Sequence, residues 1–483
     1  MTHTTYNGCM YIAILGRQPA LGIAELERVF GGKSITVLSN QAVRIDCEYF
    51  EVQRFGGVPK AGKIIAELPK SDWHQVSQKI VQYYLSEWSS FEGKITLGIS
   101  AYDFNADVRE IQKTGIILKQ KLKKSGVSLR LVPNSDPALN SAVSHHNKLG
   151  LSTNKVELLV VRAKDGKVTI AESTGSQNIT AYAKRDQERP KRDAFVGMLP
   201  PKLAQIMINL AVGQTTDNDV STPISSERLR AGTDKGPGAL SDSGCRGSDE
   251  IELHPSNAHS SHLAIVCNST LEPELELAPG PSSNPERSSA MKNSNQKGDL
   301  NVQLRILDPF CGTGVILQEA VLMGYSAYGT DLSEKMVRYS RENLEWLAGS
   351  YHTKFDWTLD EGDAIDMRWK SPIDAVVAET YLGQPFSAPP SPAKLDEVMR
   401  NCDHIITEFL RNLLPQIEPG TPICIAIPAW SDKNGHFNHL PLVSTIARIG
   451  YKPHEFTNIS QNDLLYYREG QVVARELLVL TKS

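Results

Sequence analysis

Long apolar runs, a cysteine framework and a triphosphate-binding motif are all missing from this sequence. No uninterrupted apolar stretch approaches the roughly 20 residues that a membrane-spanning helix needs. The first residues, MTHTTYNGCMYIAILG, have neither the basic start nor the extended apolar centre of a secretory signal. Seven cysteines in 483 residues follow no regular spacing, which argues against a disulfide-scaffolded fold and suits reduced thiols. The expectation is a cytoplasmic protein with no membrane partner. Gly-x-x-x-x-Gly-Lys-Ser/Thr does not occur, so no loop is set up to cradle a triphosphate. Residues 215–300 lack Phe, Trp and Tyr altogether and are rich in Ser, Asn, Pro, Gly and Asp. Such a stretch buries too little apolar surface to offset its ordering entropy, and a disordered insertion is expected. Its Cys245, His254, His259, His262 and Cys267 match no closed zinc spacing, and no metal is expected.

What is present is unevenly charged. The net charge is −4, yet residues 91–214 sum to about +8 and residues 301–483 to about −7. A basic module beside an acidic one suits a polyanion held by the first and chemistry done by the second; uneven surface decoration is the alternative. The basic part contains VREIQKTGIILKQKLKKSG, a helix with Ile111, Leu118 and Leu122 on its apolar side and Lys119, Lys123 and Lys124 available to RNA or to solvent. A second basic cluster, Arg185, Arg189, Lys191 and Arg192, surrounds Pro190. PPKLAQIMINLA then opens a helix with proline in its first turn, expected either to pack on the sheet beside the ligand or to be an ordinary linker.

From residue 303 onward strands and helices alternate, which predicts a doubly wound, largely parallel sheet. Four strand ends carry the chemical signal. DPFCGTG (Asp308–Gly314) joins a strand to a helix through two glycines that let a ligand approach the backbone. GTDLS ends the second strand with Asp331, placed to accept ribose hydroxyls. EGDA presents Asp363 to an adenine amine, and AETYLGQP follows the fourth strand. A carboxylate at position 308 does not suit a pyrophosphate. It suits a cation, the sulfonium and amino group of S-adenosylmethionine. Asp308, Gly312, Gly314, Asp331 and Asp363, with flanking Pro309, Phe310, Leu332 and Ala364, are the expected cofactor residues.

DPFCGTG together with GTDLSEKMVRYSRENLEWL, RDQERPKRD-AFV-GMLPPKLAQIMINLA and REGQVVARELLVL resembles the THUMP-containing tRNA guanosine-N2 methyltransferases over residues 180–212 and 303–483. The resemblance implies an α/β chain: an N-terminal ferredoxin-like domain (1–90), a THUMP-like RNA-binding domain (91–182), a basic connecting segment and helix (183–214), the disordered insertion (215–300), and a Rossmann-like S-adenosylmethionine-dependent methyltransferase domain (301–483) ending in an antiparallel hairpin at the sheet's edge. It implies tRNA as partner and transfer of a methyl group to the exocyclic N2 of a guanosine; the sequence leaves both a monomer and an accessory subunit open. Where the family's fourth loop reads Asp/Asn-Pro-Pro-Tyr, this chain has Glu379-Thr380-Tyr381-Leu382, with both prolines absent and the tyrosine one place earlier. Glu379 and the Thr380 carbonyl are the expected acceptors for the amine, and Tyr381 the face on which the base stacks. A DNA amino-methyltransferase and a non-catalytic RNA-binding protein with a degenerate site are the other readings of the same residues.

Overall fold

The computed structural model describes residues 10–193, 198–213, 303–432 and 434–483; the segment expected to be disordered, 215–300, lies outside them. The N-terminal part begins with β1 (Met10–Ile14), α1 (Pro19–Phe30), β2 (Ile35–Val37), β3 (Ala42–Asp46) and β4 (Lys60–Leu68). It continues with α2 (Trp73–Trp88), β5 (Lys94–Tyr102), α3 (Val108–Lys124), β6 (Ser128–Leu131), α4 (Ser141–His146), β7 (Lys155–Arg162) and β8 (Val168–Ser176). Both long helices start at capping boxes, Asp72 with Gln75 and Asp107 with Glu110, which satisfy backbone N–H groups that a helix start leaves open. The two expected N-terminal domains share one eight-stranded sheet, in the order β2-β3-β1-β4-β8-β7-β5-β6. The join is β4, a strand that sequence patterning did not single out, paired antiparallel with β8. Val76, Ile80 and Tyr84 of α2 lie in one core with Ile111 and Leu118 of α3 and with β5. α2 thus packs with the elements that follow residue 90, because its apolar face covers their side of the sheet.

α5 (Ile179–Ala183) runs into a π-type turn, Lys184–Glu188, and α6 (Pro201–Val212) follows. The C-terminal part contains β9 (Arg305–Asp308), α7 (Val315–Leu322), β10 (Ser326–Asp331), α8 (Glu334–Tyr351), β11 (Trp357–Glu361), β12 (Ala375–Glu379), α9 (Pro392–Leu413), β13 (Pro422–Ser431), β14 (Phe437–Asn438), α10 (Leu442–Ile449), β15 (Tyr451–Pro453), β16 (Leu465–Tyr466) and β17 (Val473–Lys482). Its sheet runs β11-β10-β9-β12-β13-β17-β15, parallel from β11 through β13 and antiparallel at β17 and β15. The strand order reverses between β9 and β12, the switch point at which open α/β sheets bind ligands. The expected terminal hairpin is short: β16 pairs with β17 over two residues, and β17 itself lies inside the sheet with β15 at the edge. No described helix is long and apolar enough to cross a membrane.

α6 holds the two parts together. Leu203, Met207, Ile208 and Leu210 are fully buried, in one core with Leu21 and Ala24 of α1, Ile316 and Leu317 of α7, and Ala426 of β13. A helix apolar all round belongs in an interior, and each such side chain contributes about 1.5–3 kcal/mol by leaving water. Its N-terminus comes so close to Gly56 that a Cβ there would stand 1.9 Å from the Lys202 carbonyl oxygen. Polar contacts fix the same junction. Glu25, fully buried, accepts from Gly56 N (2.9 Å), Gly57 N (2.8 Å) and Asn209 Nδ2 (2.8 Å). Arg28 donates to the Leu210 and Ala211 carbonyls at the end of α6, both at 2.8 Å, where a cation also meets the negative end of the helix dipole. Glu27 accepts from the Thr457 and Asn458 N–H groups of the C-terminal part.

Two predictions follow from these buried charges. Burial pushes the Glu25 carboxyl from 4.5 up to about 7, against the pull of its three N–H donors and of Arg54. A folded-state value above the ordinary one stabilises fully below about 4.5 and is lost as pH rises through about 7. Thermal unfolding should show that loss, on the order of 3 kcal/mol from this group, and Glu25→Gln should flatten it at a lower overall stability. The second concerns Arg185, whose Nε donates to Glu319 Oε1 of α7 at 2.6 Å with both side chains buried. Arg185→Ala should cost about 3–5 kcal/mol in denaturant unfolding, and the double change Arg185→Met with Glu319→Leu should recover most of it.

Candidate active site

The cavity at the switch point is built from the four strand ends. β9 delivers Asp308, 1% exposed, whose Oδ1 accepts from Phe310 N at 3.1 Å and so turns the chain. The glycine loop is then fastened from several sides. Cys311 N donates to the Thr330 carbonyl (2.9 Å), Ser340 Oγ to the Gly312 carbonyl (2.8 Å), and Asn343 Nδ2 to the Thr313 carbonyl (2.8 Å). Ser340 and Asn343 both belong to α8, and no local motif marked them. Asp331, at the end of β10, accepts from Gly312 N with one oxygen and from Ser333 N with the other, each at 2.9 Å. Asp363 Oδ1 accepts from Ile365 N at 3.1 Å. The Phe310 ring packs edge-on against Phe409 of α9 at 5.1 Å, anchoring the loop to the far core.

The cavity encloses about 730 Å³, and Asp308, Pro309, Phe310, Gly312, Asp331, Leu332, Asp363, Ala364, Glu379, Thr380 and Tyr381 line it. All the expected cofactor and acceptor residues therefore converge, with one exception. Gly314 (φ +81°) starts α7, and a Cβ there would stand 2.9 Å from Ser340 Oγ. Its lack of a side chain makes room for α8, and it is not among the residues lining the cavity. At Gly312 (φ +51°) a Cβ would meet nothing nearer than the Phe310 carbonyl oxygen at 4.0 Å, so the space beside that backbone is open. Leu332, Ile365 and Tyr381, three of the exposed large apolar side chains of the described residues, all face this cavity. Planar rings would find an apolar lining between them. Asp193 and Leu199 from the connecting segment complete the wall, with Lys335 paired to Asp193 at 2.9 Å.

The fourth loop departs from expectation. Glu379 is ion-paired with Arg475 of β17. Thr380 is buried, and its N–H and hydroxyl both donate to the Ala426 carbonyl, at 3.0 and 2.9 Å. Tyr381 is 41% exposed, a presented surface and not a core ring. The connecting segment also requires correction. Of the four residues expected to meet RNA there, Arg185 is buried against Glu319 and stacked on Tyr182 at 4.6 Å. Arg189 is 3% exposed, its guanidinium without a hydrogen-bond partner among the described residues. Both point inward because the π-type turn and Pro190 fold the segment onto α7. Lys191 is half-buried, pairs with Glu342 at 3.0 Å and is held through its backbone by Asn343. Arg192 is exposed, as are Lys119, Lys123 and Lys124 on α3.

The electrostatics of the cavity are acidic. Burial pushes the Asp308 carboxyl well above the usual carboxylate range, and the charges of Asp331 and Glu379 push it further, while the Phe310 N–H opposes. Asp331 is raised by burial against its two N–H donors. Burial, Asp308 and Asp331 raise the Cys311 thiol well above its ordinary value, which keeps it protonated and no nucleophile. The cations at hand, Lys335 and Arg475, are already committed to Asp193 and Glu379. Such an acidic lining disfavours a polyphosphate and fits the cationic S-adenosylmethionine. A cation favours ionised Asp308, so binding should release a proton and tighten as pH rises through the Asp308 titration. Calorimetry should show this, and Asp308→Asn should bind on the order of tenfold more weakly with a flat pH dependence.

Residues 300–433 match a family model described as a methyltransferase domain. Over 128 residues the chain is 37% identical to the tRNA (guanine(10)-N2)-dimethyltransferase of Methanothermobacter thermautotrophicus, a stretch that is 26% of this chain and 34% of that protein. Over 87 residues it is 37% identical to the protein of the same name from Pyrococcus abyssi, covering 17% and 25%. The chain thus spans about a third or less of the length of these curated relatives. The solved structure of TrmN from Thermus thermophilus aligns over 98% of this chain and 100% of that one, with 16% identity and a TM-score of 0.44. The C-terminal part of this chain thus carries a doubly wound sheet that matches a methyltransferase-domain model over residues 300–433, has a cavity that fits S-adenosylmethionine, and is similar in sequence to part of two tRNA (guanine(10)-N2)-dimethyltransferases.

Proposed function

We propose that this protein transfers a methyl group from S-adenosylmethionine to the exocyclic N2 of a guanosine in tRNA. The observation that carries the reading is the continuity of one cavity. Three carboxylates suited to the cofactor, Asp308, Asp331 and Asp363, share it with Glu379 and the exposed Tyr381. Bound cofactor supplies an electrophilic methyl on a sulfonium that leaves as a neutral thioether. The protein's part is to present the amine. Tyr381 offers a face on which a base swung out of its stack can rest. Glu379 accepts a hydrogen of N2 and takes up the proton that N2 sheds once the N2–CH3 bond has formed. The rate gain comes from positioning and a preorganised polar site, with no covalent intermediate on the protein. The names of the sequence relatives support tRNA as the substrate. The exposed lysines of α3, with Arg192 near the cavity's wall, supply a surface for phosphates.

Labelled methyl transfer to total tRNA and to duplex DNA, followed by nucleoside mass spectrometry, tests the proposal. The expected product is N2-methylguanosine in tRNA. Label confined to DNA as an N6-methyladenine or N4-methylcytosine would replace it with a DNA amino-methyltransferase. No transfer to either, with cofactor still bound, would leave an RNA-binding protein.

A further inference from the structure

Arg475 does not line the cavity, yet it governs what the cavity's fourth wall can do. It lies on β17 opposite Pro428 of β13, and the neighbouring register of β13 sets Ala426 beside Glu379. Arg475 is 8% exposed and donates from Nε to Glu379 Oε1. It is the one hydrogen-bond partner of the Glu379 side chain among the described residues. The other charged groups facing this cavity are Asp308 from β9, Asp331 from β10, Asp363 after β11, and the pair Lys335–Asp193. On its opposite face β17 carries Glu476, paired with His439 at 2.7 Å. Among the described residues, Asp308, Asp331 and Asp363 have no cation within ion-pair distance, and burial and its neighbours' charges push the Asp308 carboxyl upward. Of the four, Glu379 is the one backed by a guanidinium among the described residues.

We propose that Arg475 is a positioning residue that ties one oxygen of Glu379 and fixes the direction of its carboxylate, so that it reads the adjacent N1–H and N2–H donors of a guanine. This rests on the guanosine reading above. The chemistry is selective. Guanine offers two neighbouring donors to an anion that can only accept. Adenine would set the lone pair of its N1 against the same charge, and a buried mismatch of that kind is strongly rejected. An amide, or a protonated glutamate, carries a donor as well as an acceptor and loses the distinction. The chain thereby replaces the Pro-Pro rigidity missing from its fourth loop with an ion pair from the end of the sheet.

Wild type, Arg475→Ala, Arg475→Lys, Glu379→Gln and Arg475→Ala combined with Glu379→Gln are compared in S-adenosylmethionine binding by calorimetry and in methyl transfer to tRNA followed by nucleoside mass spectrometry. Arg475→Ala should bind the cofactor within about threefold of wild type yet lose on the order of 100-fold in kcat, and Arg475→Lys should restore most of that rate. Because Arg475 acts through Glu379, the double change should be little worse than Glu379→Gln alone. An unchanged rate in Arg475→Ala, a loss confined to cofactor affinity, or a double change far worse than Glu379→Gln alone overturns the proposal. A wild type that methylates no guanosine in tRNA overturns the guanosine reading, and this proposal with it.

Discussion

Four carboxylates share one cavity at the carboxyl ends of β9 to β12, and the energetic cost of keeping them there shapes the rest of the domain. Like charges in a partly buried space cannot all remain ionised without compensation. The protein answers in three ways. Asp331 is held by two backbone N–H groups. Glu379 receives a guanidinium from a distant strand. Asp308 is left with one N–H donor and a strong tendency to hold its proton. A cavity in that condition is incomplete until a cation enters. The fold thus carries a standing preference for a positively charged ligand, and the methyl donor's charge is the feature that distinguishes it from its neutral product.

The second constraint is mechanical. The walls of the cavity are not contributed by one domain. Asp193 and Leu199 come from the connecting segment, and α6 just beyond them lies in the interior between α1 and the C-terminal sheet. That arrangement buries charges that must be satisfied where they sit, hence the three donors on Glu25, the bidentate Arg185–Glu319 pair and the capping of α6 by Arg28. Each is worth little as net stability but would be expensive to leave half made. The junction is consequently stiff where it meets the glycine loop, and α8 extends that stiffness to the loop itself through Ser340 and Asn343.

Much of this was legible in the chain. Strand–loop–helix around Asp308–Gly314, the acidic ends at Asp331 and Asp363 and the apolar helix 201–212 follow from periodicity and turn residues, and each is found in the structure. β4 escaped notice because KAGKIIAEL reads as neither a clean alternation nor a helix; its identity depends on β8 lying alongside it. The basic cluster 185–192 was misleading for a related reason. Charge along a sequence does not reveal direction, and a π-type turn sent Arg185 and Arg189 inward while Arg192 stayed outside. At Gly314 the missing side chain makes room for Ser340, a long-range contact that the glycine motif by itself does not reveal.

The sequence by itself determined the parts that depend on neighbours along the chain: the strand ends, the glycine turn, the acidic character of the catalytic half, and through them the class of cofactor. Those features are set by local backbone preference and by composition, which need no knowledge of what lies opposite. Only the tertiary structure decided which charges are free. Glu379 and Arg475 are 96 residues apart in the chain, and their pairing exists because an antiparallel strand is added beside β13. The fourth wall of the cavity is defined by that contact across the sheet, a relation that no spacing along the sequence can encode.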